Sequence, residues 1–469
     1  MFCAPILSRP RLGTLLATGM LAGCGAVGPD YTPPPAPAPV QWHAPVPHDG
    51  SVAALDAWWQ RFDDPALGLL LRQAEQDSPT LESAAARIDA ARATLASARA
   101  GGRPSVTGQY AATRAGEKGS SGQVTRTASL DASWELDLFG KVRRSTQAAQ
   151  ARVQARQDDW HDARISLAAE VADTYVQYRG CLLLADAYGQ ELESTRRTLR
   201  ATAALVRAGL DSAADEALAR ASAASAASSL LGQTQDCELL VKTLTQLTGL
   251  AELALRAALA HPASPLPRPA ALAVPALPAD VLRQRPDVAA LERELAAASA
   301  EIGVAQAALL PSVSLGGTLS GTPSLTSWSF GPSLSLPLFD GGSGRAGVDS
   351  ARASFFVASA AWRSGVRQAV ADVEQALVRL DGTQRREAQA RESALQYQRY
   401  FLATEAEWRA GTQSLLTLED ARRQSLDAQV TLAALERDHV RYWIALYKAI
   451  GGGWQDDTPA IRSAPLSRP

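Results

Sequence analysis

The chain of 469 residues repeats one pattern after about 200 positions, and this repeat constrains its fold more than any other feature. Four short matches keep the same order: Arg103-Pro104-Ser105-Val106 with Leu310-Pro311-Ser312-Val313, Leu138-Phe139 with Leu338-Phe339, Arg207-Ala208-Gly209 with Arg409-Ala410-Gly411, and Leu247-Thr248-Gly249 with Ala449-Ile450-Gly451. Ordered matches indicate an internal duplication. We therefore predict a first repeat at residues 58–261, a Pro-rich linker at 262–278, a second repeat at 279–454 and a C-terminal tail at 455–469.

Each repeat is predicted to contain very long helices. Residues 79–100 and 141–207 show helical periodicity, and a seam of apolar or small residues recurs at steps of four and three. The seam comprises Leu167, Val171, Thr174, Tyr178, Cys181, Ala185, Tyr188, Leu192, Thr195, Leu199, Thr202 and Val206, then Leu230, Thr234, Cys237, Val241 and Leu244, and in the second repeat Val366, Val370, Val373, Leu377, Leu380, Leu426, Val430 and Ala433. A sustained heptad indicates a coiled coil. A helix of about 65 residues is on the order of 100 Å long, whereas a generic helical bundle has helices of about 10–20 residues.

Two hairpins of alternating polarity are predicted at about residues 105–138 and 312–338. No charged residue occurs between Ile302 and Phe339, but the prolines and glycines there disfavour a transmembrane helix. The alternation instead predicts strands, with Val313 and Leu315 on one face and Ser314 on the other. Strands of about ten residues that are apolar outwards and polar inwards are typical of an outer-membrane barrel. The alternative is a soluble antiparallel sheet with one wet face.

The polar faces favour a barrel that is shared between chains. Asp131, Glu135 and Asp137 fall on one predicted face, which suits a water-filled lumen. Four strands cannot close a barrel, and lipid tolerates no open sheet edge. Two copies give eight strands, which their own side chains fill, so a conducting pore favours three copies and twelve strands. We predict an α+β membrane protein with four barrel strands per chain and long coiled-coil helices.

The N-terminus resembles the signal of a bacterial lipoprotein. Arg9 and Arg11 precede an apolar run that is too short to span a bilayer as a mature helix. Leu21-Ala22-Gly23-Cys24 resembles a lipobox, which implies a signal peptide at residues 1–23, lipidation of Cys24 (palmitate) and a lipid-anchored extended segment at 24–57. In lipoproteins of this type an aspartate after the lipidated cysteine favours retention in the inner membrane, so Gly25 at this position favours the outer membrane. The alternative is an ordinary signal peptide with a chance cysteine.

Several motifs resemble those of the TolC-like outer membrane factors, in the lipoprotein (NodT/OprM-like) branch that serves RND efflux systems. They are Trp58-Trp59-Gln60-Arg61-Phe62-Asp63-Asp64-Pro65-Ala66-Leu67, Cys24-Gly25-Ala26-Val27-Gly28-Pro29-Asp30-Tyr31, Glu135-Leu136-Asp137-Leu138-Phe139-Gly140, Arg285-Pro286-Asp287-Val288, Ile302-Gly303-Val304-Ala305 and Leu310-Pro311-Ser312-Val313. The resemblance covers essentially all of residues 21–454.

The resemblance implies a homotrimer in the outer membrane of a Gram-negative bacterium, in which the barrel is continued into the periplasm by a long α-helical coiled-coil barrel. Its expected partners are a periplasmic adaptor (membrane fusion) protein and an inner-membrane RND-type pump, and its expected function is that of a passive exit duct for exported substrates. Two alternatives are the outer-membrane channel of a type I secretion-like system and a periplasmic coiled-coil adaptor lipoprotein. The adaptor alternative does not explain the duplication or the two hairpins.

The resemblance also implies that the turns around Gly209 and Gly411 form an adaptor-contacting tip. The tip residues are Val206, Arg207, Ala208, Gly209, Leu210, Arg409, Ala410, Gly411 and Thr412. Five acids lie within three helical turns of the tips, namely Asp211, Asp215, Glu216, Glu419 and Asp420. In a trimer such acids are candidates for rings that select cations or close the tunnel. The alternative is that they are solvated helix ends that complement the helix dipole.

Cys181 and Cys237 are predicted to form a disulfide. They lie equidistant from Gly209, the predicted turn, so they face each other in an antiparallel helix pair. The periplasm is oxidising. The alternative is a pair of buried free thiols, because a disulfide requires Cα atoms within about 7 Å.

Composition and motifs argue against other classes of protein. The chain has 46 Lys plus Arg against 48 Asp plus Glu, which differs from the basic surface of a nucleic-acid binder. The sequence contains neither a GxxxxGK[ST] motif nor an HExxH motif, and the five histidines lack ligand spacing on a helix. We therefore predict no enzymatic activity, no cofactor and no metal.

Overall fold

The computed structural model describes residues 25–35, 38–39, 42–44, 55–119, 121–260, 266–268 and 285–454. The predicted signal peptide, Cys24, most of the Pro-rich linker and the C-terminal tail lie outside these residues.

The elements of the first repeat follow one another in a simple order. A 3₁₀ helix (Leu55–Phe62) precedes α1 (Pro65–Gln76), α2 (Pro79–Ala100), β1 (Ser105–Ala115), β2 (Gln123–Leu136), α3 (Lys141–Arg207), α4 (Ala213–Thr248) and α5 (Glu252–Leu259). The helices α2 and α3 occupy the ranges predicted from periodicity, residues 79–100 and 141–207.

The second repeat has the same order of its main elements. They are α6 (Pro286–Ala307), β3 (Ser312–Thr322), β4 (Leu325–Ser335), α7 (Ser343–Arg409) and α8 (Leu415–Ala449). Both hairpins therefore fall within the predicted ranges, although each second strand ends two or three residues before the predicted boundary.

Two pairs of corresponding helices in the repeats have equal lengths. α3 and α7 each contain 67 residues, and their first residues, Lys141 and Ser343, are 202 positions apart. α2 and α6 each contain 22 residues, and their first residues are 207 positions apart. The difference arises in the hairpin loops, which comprise residues 116–122 in the first repeat and 323–324 in the second.

The described chain divides into two compact units, and each takes segments from both repeats. The described residues of the first unit are 25–35, 84–119, 121–159 and 289–365. It contains one antiparallel sheet in the order β1-β2-β3-β4, so the hairpins of the two repeats pair through β2 and β3. The same unit contains a cluster of buried alanines, in which Ala148 and Ala151 on α3 pack with Ala297 and Ala300 on α6.

The described residues of the second unit are 38–39, 42–44, 55–83, 160–260, 266–268, 285–288 and 366–454, and the long helices contribute most of its core. Trp58 is fully buried, and its ring stacks on Tyr447 at 4.8 Å between centroids. The predicted seam positions on α3 are buried or half-buried, as a coiled-coil seam requires. The prediction is wrong for Thr234 on α4, which is exposed because Gln233 turns towards the partner helix instead.

None of the helices in the described ranges is long and apolar enough to cross a membrane. Within the same ranges, His, Cys, Asp and Glu side chains form no group that could hold a metal ion.

Candidate functional site

One face of the sheet is apolar across all four strands. Leu130 on β2 pairs with Leu319 on β3, which in turn pairs with Trp328 on β4. Several large apolar side chains on this face are exposed within one chain, Trp328 to 80%; the others are Val106, Tyr110, Val124, Leu130, Leu319, Phe330 and Leu334. A contiguous exposed apolar patch of this kind marks an interaction with a protein or a membrane.

The opposite face carries hydroxyl and carboxylate groups. Asp131 on β2 lies opposite Thr318 on β3, and its carboxylate accepts hydrogen bonds from Thr318 Oγ1 at 2.9 Å and from Ser129 Oγ at 3.0 Å. The hydroxyls of Ser314 and Ser333 are 2.8 Å apart and connect β3 to β4. Side-chain hydrogen bonds on this face therefore reinforce the backbone pairing.

The prediction that three acids share this face is wrong for Asp137. β2 ends one residue before it, and its carboxylate accepts hydrogen bonds from the amides of Val142 at 2.9 Å and Arg143 at 3.0 Å. The first amides of a helix lack partners within the helix, so a carboxylate at this position serves as a cap. Asp131 and Glu135 remain on the strand.

The outer edges of β1 and β4 have no partner strand within the described part of the chain. An open edge presents unpaired amides and carbonyls, which bind further strands in water and are not tolerated in lipid. Both edges therefore require strands that this chain does not supply among its described residues.

The first long hairpin turns at Gly209. α3 ends at Arg207, and Gly209 has φ +71°, a conformation that glycine adopts without strain. The amide of Leu210 donates a hydrogen bond of 2.9 Å back into the last turn of α3. Ser212 then caps α4, since its Oγ accepts from the amide of Asp215 at 3.1 Å.

The second long hairpin turns in the same way at Gly411. α7 ends at Arg409, Gly411 has φ +74°, and the amide of Thr412 donates a 3.0 Å hydrogen bond into the last turn. Ser414 Oγ accepts from the amide of Thr417 at 3.1 Å and so caps α8. Each of these positions lies 202 residues after its counterpart in the first turn. The predicted tip residues lie in these two turns or at the ends of the helices that precede them: Val206, Arg207, Ala208, Gly209, Leu210, Arg409, Ala410, Gly411 and Thr412.

Three of the candidate gate acids lie around the start of α4. Asp215 accepts a hydrogen bond from the Ser212 hydroxyl, and this bond is the main cause that lowers the pKa of the Asp215 carboxyl below its ordinary value. Glu216 forms an ion pair with an arginine one turn later. Asp211 precedes the cap and accepts from the Ser212 amide at 2.8 Å. Thr417 stands at the position of Asp215 in the second hairpin, so this carboxylate is not repeated there.

The other two candidate acids differ in their surroundings. Glu419 forms an ion pair with Arg422, a buried residue whose guanidinium also donates to Thr198 Oγ1 at 2.7 Å. Asp420 pairs with the exposed Arg423 at 2.7 Å. Glu419 therefore neutralises a buried cation between α8 and α3, while Asp420 stays at the surface.

Cys181 and Cys237 are joined by a disulfide in the structure, with their Cα atoms 5.6 Å apart. Both residues are buried on facing sides of α3 and α4. The positions 202 residues later hold Thr383 and His439, so the second hairpin has no equivalent cross-link.

Arginines that the sequence did not single out hold key contacts. Arg144, buried in the first turn of α3, donates to the carbonyls of Val27 at 3.0 Å and Gly28 at 3.2 Å, and to Asp30 Oδ1 at 2.9 Å. It therefore binds the segment that follows Cys24. The sequence identified neither Arg144 nor Arg422, because an arginine within a helix is usually solvated and no local pattern distinguishes a buried one.

Long duplicated helical hairpins and a two-faced sheet with open edges define the class of outer-membrane channel subunits. The model of the family described as outer membrane efflux protein matches residues 70–250 and 277–452. The chain belongs to this outer membrane efflux protein family.

Relatives of known type agree with this assignment. The chain is 31% identical to nodulation protein T of Rhizobium leguminosarum bv. viciae, over 93% of each protein. It is 30% identical to the probable efflux pump outer membrane protein TtgC of Pseudomonas putida, over 96% of this chain and 97% of that protein. The solved outer-membrane channel OprN is similar with a TM-score of 0.81 and 32% identity, over 92% of this chain and 99% of that chain.

These findings confirm the α+β outer-membrane channel fold, the outer-membrane location and the function in efflux. The alternative of a periplasmic coiled-coil adaptor is wrong, because the matches extend over both repeats and both hairpins.

Proposed function

We propose that three copies of this chain close a twelve-stranded barrel in the outer membrane, with the polar face of the sheet lining a water-filled lumen. The observation that carries the proposal is the four-stranded sheet with an apolar and a polar face and two open edges. The apolar face suits lipid and the polar face suits water, and closure with further copies removes every open edge. Eight strands from two copies would leave an interior filled by side chains.

The long helices are proposed to continue the duct through the periplasm and to dock at their turns. Residues 207–210 and 409–412 are exposed, including Leu210 at 75%, and each turn is held in one conformation by a glycine and a serine cap. A rigid, exposed apolar residue at the end of a long helical hairpin suits a contact with a periplasmic adaptor protein. The adaptor in turn would connect the duct to an inner-membrane RND-type pump, which supplies the energy.

The lipid anchor at Cys24 belongs to the same proposal. The segment that follows Cys24 is bound by Arg144 close to the end of β2, which would hold an acylated N-terminus near the membrane boundary of the sheet. Mass spectrometry of the mature N-terminus tests this point, and an unacylated Cys24 would contradict it.

The proposed duct is tested by conductance and by partner capture. The purified chain should run as a heat-dissociable trimer and open ohmic pores in planar bilayers, without nucleotide or ion gradient as an energy source. Cross-linking from Leu210 and Thr412 in cells should capture an adaptor that co-purifies with an RND-type pump. Monomers without conductance would contradict the duct, and capture of a type I secretion pump would contradict the assignment to an RND system.

A further inference from the structure

The polar face of the sheet carries charges of one sign only. Of the charged residues on the four strands, Asp131 and Glu135 lie on the polar face. The other polar-face positions hold neutral residues, mostly serine, threonine and glycine. The two arginines, Arg114 and Arg126, belong to the alternating set that includes Leu130, so they lie on the apolar face. The strands therefore supply two carboxylates to the polar face and no cation.

Glu135 has a cation beside it, whereas Asp131 has none. The ammonium of Lys141, in the first turn of α3, lies 3.3 Å from Glu135 Oε1, so this pair adds little net charge. Asp131 instead accepts hydrogen bonds from Thr318 Oγ1 and Ser129 Oγ, and no cationic side chain of the described chain pairs with it. The two hydroxyls hold the carboxylate in place and leave its negative charge uncompensated.

Asp131 lies within the part of β2 that would cross the membrane. It is five residues from Leu136, the last residue of β2, which corresponds to about 17 Å along the strand. The apolar band of an outer-membrane barrel is about 25 Å tall. Its neighbours Leu130 and Ala132 lie on the apolar face. A carboxylate at this position would face water enclosed by walls of low dielectric constant, which focus its field along the lumen.

We propose that Asp131 makes the barrel selective for cations, because three copies of the chain place three uncompensated carboxylates around one lumen. Positively charged solutes are enriched there and anions are depleted. The inference rests on the proposed function, since it assumes a shared barrel that the polar face lines. It is separate from the hypothesis on the candidate gate acids, which belong to the other compact unit.

The size of the barrel predicts how this selectivity depends on salt. Twelve strands about 4.8 Å apart and tilted by about 40° form a barrel about 24 Å across between backbones, which places the carboxylates about 9 Å from its axis. Coulomb's law in water, with salt screening, then gives an enrichment of a monovalent cation on the axis of about fivefold at about 10 mM salt and about twofold at about 0.15 M. Almost no enrichment remains at about 1 M salt.

The second repeat offers a position for a rescue variant. Ser333 follows Asp131 by 202 residues, as β4 follows β2, and it lies on the polar face opposite Ser314. The two serine hydroxyls are 2.8 Å apart, so Ser333→Asp retains a hydroxyl donor for its carboxylate. This substitution returns three carboxylates to the lumen without restoring any contact that Asp131 makes.

The ion selectivity of single channels tests the proposal. The full chain is produced with Asp131→Asn, with Asp131→Asn combined with Ser333→Asp, and with Glu135→Gln combined with Lys141→Gln. The last variant is the matched control, because it removes a carboxylate from the same face together with its cation. Reversal potentials in KCl gradients give the ratio of K⁺ to Cl⁻ permeability, and gels run before and after heating verify that each variant forms trimers.

Asp131→Asn is expected to lower the K⁺ to Cl⁻ permeability ratio at least about fivefold near 10 mM salt and to leave it unchanged near 1 M, where the field is screened. Adding Ser333→Asp should restore the ratio, and the control should keep the wild-type ratio. Conducting trimers whose ratio is unchanged by Asp131→Asn, or falls equally in the control, would overturn the proposal. A loss that Ser333→Asp does not restore would also overturn it. A wild-type chain without trimers or pores would instead contradict the proposed duct itself.

Discussion

Tyr175 donates a hydrogen bond of 2.7 Å from its hydroxyl to Oδ2 of Asp64, and both side chains are buried. Burial, and then the bond to Asp64, raises the pKa of the Tyr175 hydroxyl well above its ordinary value. The other oxygen of Asp64 accepts from the amide of Ala66 at 2.9 Å and so caps α1. The Asp64 carboxylate thus caps the N-terminus of α1 and connects α1 to α3.

Asp64→Ala is expected to destabilise the helical unit by about 2 kcal/mol, because it removes a helix cap and leaves a buried hydroxyl without its acceptor. Urea unfolding followed by far-UV circular dichroism measures the change. The matched control is Asp63→Gly, at a residue with φ +48° where glycine is tolerated, and it should leave stability unchanged or slightly raised. Equal losses in both variants would contradict the role of Asp64.

Arg422→Ala is expected to destabilise the chain by about 3 kcal/mol, because Glu419 would be left without its cation in a largely buried site. Arg423→Ala removes an exposed ion pair one residue later and should cost less than about 0.5 kcal/mol. The difference is measured as the shift in unfolding midpoint in detergent. Similar midpoints for the two variants would show that Arg422 is not the contact between α8 and α3.

The disulfide links α3 to α4, so we expect reduction to affect the first helical hairpin and to leave the second unchanged. Reductant should expose two thiols to labelling and increase amide exchange in α3 and α4, while α7 and α8 stay unchanged. In the chain-entropy model a loop of this length stabilises the fold by about 4 kcal/mol, an upper estimate. The variant with Cys181→Ser and Cys237→Ser should not respond to reductant. Equal labelling with and without reductant would contradict the disulfide.

If Asp215 lines the proposed gate, Asp215→Asn should reduce the cation selectivity of single channels, and Asp420→Asn should do the same for the surface acid near the second turn. Unchanged selectivity and conductance in both would refute the gate hypothesis.

The hydrogen bond between Ser212 and Asp215 predicts how the cation selectivity of the channel depends on pH. It lowers the pKa of Asp215, so the carboxylate should stay ionised as the pH falls below the ordinary range of aspartate. Ser212→Ala removes the main cause of this shift, and selectivity should then be lost at a higher pH. Ser414→Ala is the matched control, because the residue it caps, Thr417, has no charge. The pH profile of the reversal potential measures both effects.

Arg144→Ala is expected to release the segment at residues 25–35, since it removes all three hydrogen bonds that the guanidinium makes to it. Limited proteolysis with mapping of the new N-termini detects the release. Arg143→Ala is the matched control: its side chain is half exposed and pairs with Asp137 instead. Equal protection in the two variants would contradict the role of Arg144.

The sequence predicted the elements that depend on periodicity or on repetition. The 67-residue helix and the sheet faces follow from spacing, and the antiparallel position of the two cysteines follows from their distance to Gly209. Local patterns did not identify Arg422 or Arg144, since burial of an arginine depends on residues far away in the chain. The end of β2 was misplaced because Asp137 fits both the alternation of a strand and the cap of a helix, and only the unsatisfied amides of α3 decide between them.

The equal length of α3 and α7 restricts how such a chain can change during evolution. One inserted residue would rotate everything beyond it by about 100° and carry it 1.5 Å further along the axis. A single insertion in one long helix would thus turn one tip away from the other, whereas the five-residue difference between the repeats is confined to the hairpin loops, where it moves no helix. Related sequences should therefore differ in length mainly at residues 116–122, and an insertion in α3 or α7 should be retained only together with a matching insertion in the other helix.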